Sequence, residues 1–234
     1  ILDKLQLTVS LSNNKKIHLD RFHAHSLLAS DPYHHLQHRF FKGLHDLPEN
    51  SQVVELGARA RSGVTRRELM PKQVKYTGFD ILQGPNVDIT GDAHQLSQYV
   101  KPNTYDAIFS MSVFEHLIMP WKVVLEMNKV LKTGGQVMIA APHTWPLHDT
   151  PWDFWRFSDQ AWRALFNEYT GFEIVETALG EPVSIVPYYA HNVVMGLEKQ
   201  PAYLGSAVIA KKVTDTHLSW DVDASKIVKD MYPQ

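Results

Sequence analysis

Short apolar runs alternate with longer amphipathic stretches through the middle of this chain. Each apolar run has the length of one strand, and the runs fall at 53–56, 74–80, 86–92, 105–111 and 136–141. Residues 117–131 carry apolar positions at helical spacing and are followed by Thr133-Gly134-Gly135. Short connections between strands and helices imply parallel strands with helices on both faces. The pattern therefore predicts an α/β fold with a doubly wound, mostly parallel sheet.

Weaker patterns complete this arrangement on the C-terminal side and between the strands. Short helices are predicted at 64–70, 94–100 and 160–169, and two further strands at 171–177 and 202–211. With those two strands the predicted sheet has seven.

The two ends of the chain carry patterns of their own. Residues 3–20 alternate loosely around Ser12-Asn13-Asn14, which predicts a hairpin. Ser30-Asp31-Pro32 begins an amphipathic helix that ends before Pro48 and is expected to lie across the entrance of the main domain. The sequence thus divides into an extension and helical cover (1–48), a main domain (49–213) with a lid at 142–158, and a tail that packs back on the body (214–234).

Composition narrows the classes of protein that fit. The 23 basic and 25 acidic residues give a formal net charge of −2, and this balance argues against a nucleic-acid-binding protein. The absence of cysteine excludes disulfides and thiolate chemistry and fits a reducing compartment, so a cytoplasmic location is expected. No apolar run approaches the about 18 residues of a membrane span. No signal-peptide pattern is present. Because the sequence begins at Ile1 and not at a methionine, the question of a targeting segment before Ile1 stays open.

Histidines are concentrated near the N-terminus. His34 and His38 are four residues apart and would share a helix face, so they could chelate a metal ion. They could equally lie on a polar helix flank, and no acidic partner stands at matching spacing. We therefore assign no metal site from the sequence.

Acidic residues stand at the ends of three predicted strands, and they indicate a ligand site. Glu55 ends the first strand directly before Gly57, and Asp80 and Asp92 end the next two. In an open parallel sheet, ligands bind outside the carboxyl ends of the strands. A carboxylate there could accept hydrogen bonds from a ribose diol or an exocyclic amine, or it could cap the following turn. Three acids in register favour a nucleotide-like cofactor.

Several motifs at these strand ends resemble those of class I S-adenosylmethionine-dependent methyltransferases, particularly the bacterial small-molecule and glycan group called methyltransferase type 11. The first, second and third motifs correspond to Val53-Val-Glu-Leu-Gly57, Tyr76-Thr-Gly-Phe-Asp80 and Gly91-Asp-Ala93. Two more specific ones follow in 105–116 and in Val130-Leu-Lys-Thr-Gly-Gly135. The resemblance covers residues 50–180 and implies a Rossmann-like seven-stranded sheet whose last strand is antiparallel.

The resemblance also implies S-adenosylmethionine as the cofactor and a set of residues that contact it. Asp80 would hold the ribose, and the adenine would lie near Ile81, Asp92 and Ala93. The full cofactor set is Glu55, Gly57, Ala58, Asp80, Ile81, Asp92, Ala93, Ser110, Met111 and His116. The chain departs from the family at Arg59 and Arg61, where glycines are usual. These arginines could pair with surface acids or face an anionic group of the cofactor or substrate.

The predicted lid is dense in groups that suit a polar ring. Tryptophan faces and nearby carboxylates and imidazoles commonly hold hydroxyl-bearing rings. His148 and His143 are the candidate catalytic bases. The candidate substrate-binding residues are Trp145, Asp149, Trp152, Asp153 and Arg156 in the lid and Tyr188 beyond it. The alternative is a structural lid, in which Asp153 and Arg156 form an intrahelical ion pair.

These observations predict methyl transfer to a hydroxyl of a sugar-like or secondary-metabolite acceptor, as in natural-product or glycan biosynthesis. The alternatives are methylation of nitrogen or carbon without a strong base, and a non-catalytic cofactor-binding module. A metal-assisted O-methyltransferase stays open because of the many histidines. The expected partner is a small-molecule acceptor. Binding to nucleic acid and a membrane span are not expected. The oligomeric state is left open, and a dimer is possible on this sequence.

Overall fold

The computed structural model describes residues 5–10, 16–21, 30–61, 63, 65–188 and 191–228. Two N-terminal strands, β1 (Leu5–Ser10) and β2 (Lys16–Arg21), pair antiparallel. This confirms the predicted hairpin, whose turn at Ser12-Asn13-Asn14 lies outside the described residues. The main sheet contains β3 (Gln52–Leu56), β4 (Lys75–Asp80), β5 (Ile89–Thr90), β6 (Tyr105–Met111), β7 (Leu131–Pro142), β8 (Phe172–Val183) and β9 (Ala202–Lys212).

The seven strands lie in the order β5-β4-β3-β6-β7-β9-β8. The first five strands in this order pair with one another in parallel, and β9 lies antiparallel between β7 and β8. The predicted Rossmann-like fold with an antiparallel last strand is therefore confirmed. Because β3 pairs with β4 on one side and β6 on the other, a crevice opens at the carboxyl ends of β3 and β6.

Apolar residues on both faces explain why the central strands are buried. On one face, Val54, Ile108 and Val137 pack in a core with the helices α2 (Leu96–Tyr99), α3 (Pro120–Val130) and α4 (Ala161–Leu165). On the opposite face, Val53, Phe109 and Met138 pack against α1 (Pro32–Gly43). Neighbouring strand residues alternate between the two cores, as the period of two requires.

The helix α1 begins where the sequence predicts, with Asp31 as its cap. The Asp31 carboxylate accepts hydrogen bonds from the backbone N–H of Tyr33 at 3.0 Å and of His34 at 3.2 Å. It also accepts one from the Glu181 N–H at 2.6 Å, which fixes the start of α1 to β8. The helix packs against β7, β8 and β9 on one face of the sheet.

Three predicted helices differ from the observed elements. In place of a helix over 64–70, the described part of this segment holds one 3-10 turn, Arg67–Leu69, because the Arg67 side chain bonds to Asn86 and Asp88 across the loop. The helix expected at 160–169 is shorter, since Asn167 caps a new 3-10 turn at Glu168–Thr170. The helix expected from 117 begins at Pro120, because the chain first forms the 3-10 turn Phe114–His116.

The described part of the tail, 214–228, contacts the first turn of α3 and the residues just before it. The Lys122 ammonium donates to the Val222 carbonyl at 2.6 Å, and the Trp220 and Trp121 rings lie 5.7 Å apart. Ala224 is buried against Ile118 and Met119. Among the described residues, no helix is both long and apolar enough to cross a membrane.

Candidate active site

A cavity of about 480 Å³ opens at the carboxyl ends of β3, β4, β5 and β6. Its volume lies within the range of small-molecule and cofactor pockets. The predicted residues that line it are Gly57, Asp80, Ile81, Asp92, Ala93, Met111, His116, His148, Asp149 and Trp152. We call this space the first cavity. The strand-end motifs and part of the lid thus meet at one place.

Gly57 permits the tight turn at the floor of the first cavity. Its φ is +82°, and a Cβ atom at this position would lie 2.1 Å from Cγ2 of Val113. Both Gly57 N–H and Ala58 N–H donate to the Phe79 carbonyl. A side chain at this position would therefore displace the turn that lines the cavity.

Backbone hydrogen bonds hold the two strand-end aspartates in place. The Asp80 carboxylate accepts from Arg59 N–H and Leu82 N–H, each at 3.0 Å. The Asp92 carboxylate accepts from His94 N–H at 2.9 Å and lies 2.7 Å from His94 Nδ1. Burial raises the pKa of Asp92, but the hydrogen bonds and charge of His94 outweigh burial and lower the pKa below its usual value. Both carboxylates are therefore oriented before any ligand binds.

Three residues of the predicted cofactor set do not line this cavity. The Glu55 side chain points onto a sheet face, where its carboxylate pairs with Arg66 at 3.0 Å and accepts from the Tyr76 hydroxyl. Ser110 is fully buried and its hydroxyl donates to the Leu56 carbonyl at 2.9 Å. Ala58 is 3% exposed and packs over Gly78. All three support the wall of the cavity from behind.

Arginines line the first cavity, and the sequence had left the role of two of them, Arg59 and Arg61, open. Arg59, Arg61 and Arg66 all line it. Arg61 forms an ion pair with Asp149 of the lid at 2.5 Å, which is the pairing with an acid considered from the sequence. Arg59 Nε is buried and has no hydrogen-bond partner among the described residues, and it lies 4.0 Å from Asp80 Oδ1. Arg61 and Arg66 are thus paired with acids, whereas Arg59 brings a buried N–H group to the cavity that the described residues leave without a hydrogen bond.

A second cavity, of about 250 Å³, adjoins the first. Ser112 and His148 line both cavities, so they stand at the boundary. Ser112 has a φ of +54°, which is rare for a residue other than glycine and is frequent at functional sites. The other lining residues include Tyr33, Glu115, Trp145 and Glu181. Neither Ser112 nor Tyr33 was predicted for the site, because Ser112 is one small residue within the 105–116 motif and Tyr33 reads as part of the apolar face of the predicted helix.

The lid places the two candidate bases differently. His148 lies at the boundary of the cavities, and its Nδ1 is 3.2 Å from the Pro146 carbonyl and 3.3 Å from Asp153 Oδ2. His143 lines neither cavity, and its Nδ1 contacts the Phe157 carbonyl at 3.0 Å. The geometry therefore favours His148 over His143.

Asp153 and Arg156 form a bidentate ion pair, with distances of 2.6 and 2.8 Å. The expectation that this pair is intrahelical is wrong, because residues 153–158 are not helical. Their backbone instead bonds outward, with the N–H groups of Phe154 and Trp155 donating to the Glu115 carbonyl. Neither charged side chain lines the first or the second cavity, and Tyr188, which is 96% exposed, lines neither of them.

Glu115 is the buried carboxylate that the sequence analysis did not select. It lies in the turn after β6, is fully buried, and neither of its oxygens has a hydrogen-bond partner among the described residues. Burial raises the pKa of Glu115 to about 7. Next to it, His116 Nδ1 lies 2.5 Å from the Trp152 carbonyl, and burial lowers the pKa of this imidazole. The available signal was an acidic residue in the short turn that follows the apolar strand 105–111.

The chain is similar to known proteins in sequence and in fold. Residues 33–177 match the model of a family described as a methyltransferase domain. No curated protein matches the chain. Similar solved structures include an S-adenosylmethionine-dependent methyltransferase from Archaeoglobus fulgidus, with a TM-score of 0.54, 16% identity, and 77% of this chain and 94% of that chain covered.

Two further structures share the fold at similar distance. The YcgJ protein from Bacillus subtilis has a TM-score of 0.53 and 16% identity, with 76% of this chain and 97% of that chain covered. The CurJ carbon methyltransferase has a TM-score of 0.51 and 17% identity, with 75% of this chain and 52% of that chain covered. At these identities the likeness extends to the fold.

Proposed function

Because the chain belongs to the methyltransferase domain family, we propose that it transfers a methyl group to a hydroxyl of a sugar-like or secondary-metabolite small molecule. Its cofactor is S-adenosylmethionine. When bound, this cofactor supplies an electrophilic methyl group. The remaining steps depend on the chain's own side chains.

The first cavity fits the cofactor on three grounds. Its volume suits the ligand, Gly57 leaves room for close approach of the backbone, and Asp80 and Asp92 present oriented acceptors. Asp80 would hold the ribose hydroxyls, and Ile81, Asp92 and Ala93 would contact the adenine. Arg59 would face the carboxylate of the methionyl part, since its Nε is buried without a hydrogen-bond partner among the described residues.

The second cavity is where we propose that the acceptor binds. Trp145 and Tyr33 offer aromatic surface there, and Glu181 and Ser112 offer polar groups for hydroxyls. Methyl transfer is an in-line displacement, so the acceptor oxygen must reach the boundary between the two cavities. The position of His148 on that boundary is the single observation that carries the proposal.

His148 would take the proton of the acceptor hydroxyl. Its Nδ1 faces two acceptors, the Pro146 carbonyl and the Asp153 carboxylate, so Nδ1 carries the proton of the neutral ring. Nε2 is then the nitrogen that can accept a proton. The Arg61–Asp149 ion pair would tie the lid to the loop after β3, and the buried Trp152 would limit the entry of water.

The test uses labelled S-adenosylmethionine and an extract of the small molecules of cells that make this protein. Mass spectrometry should reveal a labelled product, and His148→Ala should reduce the rate of its formation by about 100-fold. His143→Ala is the matched control and should keep a rate near wild type, since His143 lines neither cavity. Equal rates in all three proteins would favour the alternative of nitrogen or carbon methylation.

Carbon methylation is the second candidate because the fold is shared with the CurJ carbon methyltransferase. It needs a weaker base when the acceptor carbon is already activated. The chemistry of the labelled product separates the two, since an O-methyl and a C-methyl group give different fragment ions. Bound cofactor without any labelled product would instead indicate a non-catalytic module.

A further inference from the structure

One carboxylate and two imidazoles converge at the boundary between the two cavities. Glu115 Oε1 lies 3.7 Å from Nε2 of His116 and 3.9 Å from Nε2 of His148. One ligand atom from each of the three residues lies within 4.8 Å of the other two. These separations are too long for hydrogen bonds. The two separations from Glu115 are close to the spacing of ligand atoms that share one metal ion.

The burial of Glu115 calls for a partner that the described residues do not provide. A carboxylate shielded from water costs several kcal/mol when it is charged and alone. Both Glu115 oxygens lack a hydrogen-bond partner among the described residues, although the side chain is fully buried. A proton or a cation can remove this cost. The two neighbouring imidazoles favour a cation, because they add two donor atoms aimed at the same point.

The outer contacts of both imidazoles orient them as metal ligands are usually oriented. His116 Nδ1 lies 2.5 Å from the Trp152 carbonyl, which can only accept, so this nitrogen carries the proton. His148 Nδ1 likewise faces the Pro146 carbonyl and the Asp153 carboxylate. In each neutral ring the lone pair is then on Nε2, which faces Glu115. A ligating histidine characteristically donates its second N–H to a carbonyl or carboxylate in this way.

We propose that Glu115, His116 and His148 bind a divalent transition-metal cation, with Zn²⁺ as the expected ion. Two imidazoles and one carboxylate form a mixed nitrogen and oxygen set, which suits Zn²⁺, Mn²⁺ or Fe²⁺ better than the oxygen-seeking Mg²⁺ and Ca²⁺. Ligand atoms about 2.1 Å from a tetrahedral zinc ion lie about 3.4 Å apart. The two separations from Glu115 exceed this spacing by a few tenths of an ångström, and the third, which is within 4.8 Å, would close by up to about 1.4 Å when the ion binds.

The site would leave a coordination position open toward the second cavity. Three protein ligands plus one exchangeable position are typical of catalytic zinc. An acceptor hydroxyl bound there would lose its proton more readily, and the ion would then replace His148 Nε2 as the activating group. This consequence rests on the proposed function, whereas ion binding does not.

The test measures ion binding by the full chain without cofactor or acceptor. Chelator-treated protein is titrated with Co²⁺, whose visible absorption reports nitrogen and oxygen ligation, and then with Zn²⁺ in competition. We expect one Co²⁺ per chain, displaced by Zn²⁺. Glu115→Gln and His148→Gln should each weaken binding by at least about 100-fold, because even loss of an outer contact costs 10- to 100-fold.

Matched controls separate this site from the other histidines. His45→Gln removes an exposed imidazole outside both cavities and should leave the Co²⁺ affinity unchanged. Zn²⁺ should raise the melting temperature of the wild type and of His45→Gln, but not that of Glu115→Gln. Glutamine has nearly the same size as glutamate and carries no charge, so the Glu115→Gln variant should fold.

Two results would overturn the proposal. One is the absence of saturable Co²⁺ binding by the wild type. The other is one-to-one binding that survives both Glu115→Gln and His148→Gln, which would place the ion on other histidines. Neither result bears on methyl transfer, and a failure to find methyl transfer would not affect the binding measurement.

Discussion

The first and second cavities share Ser112 and His148, yet their polar groups are held in different ways. In the first cavity, the Asp80 and Asp92 carboxylates accept hydrogen bonds from nearby backbone N–H groups. In the second, the Glu115 carboxylate is buried without such a bond from the described residues. The two aspartates of the first cavity are satisfied by the fold itself, whereas the second cavity contains a carboxylate that requires a proton or a ligand.

The aspartates of the first cavity suit the binding of a ligand, whereas Glu115 in the second cavity suits the handling of a proton or a metal ion. Acceptors fixed by the backbone lose little entropy when a ligand arrives, so they suit a cofactor that must bind in one orientation. Burial raises the pKa of the Glu115 carboxyl, and groups with such shifts are concentrated where protons or metal ions are handled. Substitutions in the two cavities should therefore affect different measurements.

The largest effect is expected from Asp80→Ala. This change removes the predicted ribose ligand and leaves the N–H groups of Arg59 and Leu82 without their acceptor. Each hydrogen bond from a ribose hydroxyl to the carboxylate contributes about 1.5 kcal/mol or more, so the loss of two such bonds should lower the affinity for S-adenosylhomocysteine by about 100-fold. Isothermal titration calorimetry measures this directly.

Asp106→Ala is the matched control for that experiment. Asp106 also accepts a backbone hydrogen bond, from Gln52 N–H at 2.7 Å, but it lies at the start of β6 and away from the cavity. This variant should lose stability and keep its affinity. If Asp80→Ala binds the ligand as tightly as Asp106→Ala does, the first cavity is not the cofactor site.

The sequence predicted the first cavity well because its residues follow from topology. Parallel strands end at the same edge, so Asp80 and Asp92 could be placed together without knowing any side-chain contact. Glu55 was misplaced for a physical reason. It is the penultimate residue of β3, so its side chain points onto a sheet face, toward Tyr76, and not beyond the strand end.

The second cavity depends on contacts between distant segments, which no local pattern encodes. Tyr33 of α1 and Glu181 of β8 meet there because Asp31 bonds to the Glu181 backbone. The aromatic density of the lid indicated a site, but it could not distinguish His148 from His143. That distinction depends on the extended backbone of 153–158, which is bonded to the turn that carries Glu115.

An intermediate effect is expected from Asp153→Asn. Asp153 accepts from His148 N–H at 2.8 Å and pairs with Arg156, so it positions the imidazole without lining either cavity. Its replacement should lower kcat by about 10-fold, equal to about 1.4 kcal/mol, and leave the affinity for S-adenosylhomocysteine unchanged. Asp159→Asn, a nearby acid whose carboxylate bonds to Gln160, is the control. A loss of cofactor affinity in Asp153→Asn alone would show that the two cavities are coupled.

The smallest effect concerns Asp92 and its dependence on pH. Bonding to His94 lowers the pKa of Asp92 in the folded protein below its usual value of 3.8, so the charged form stabilises the fold. That contribution is present above the unfolded pKa and disappears as the pH falls through the folded pKa.

Asp92→Asn should therefore lower the free energy of unfolding by about 1 kcal/mol at pH 7, and the difference from wild type should shrink below about pH 4. Urea unfolding at several pH values measures this, with the exposed Asp221→Asn as control. A difference that stays constant down to about pH 3 would mean that Asp92 acts through shape, and not through its charge.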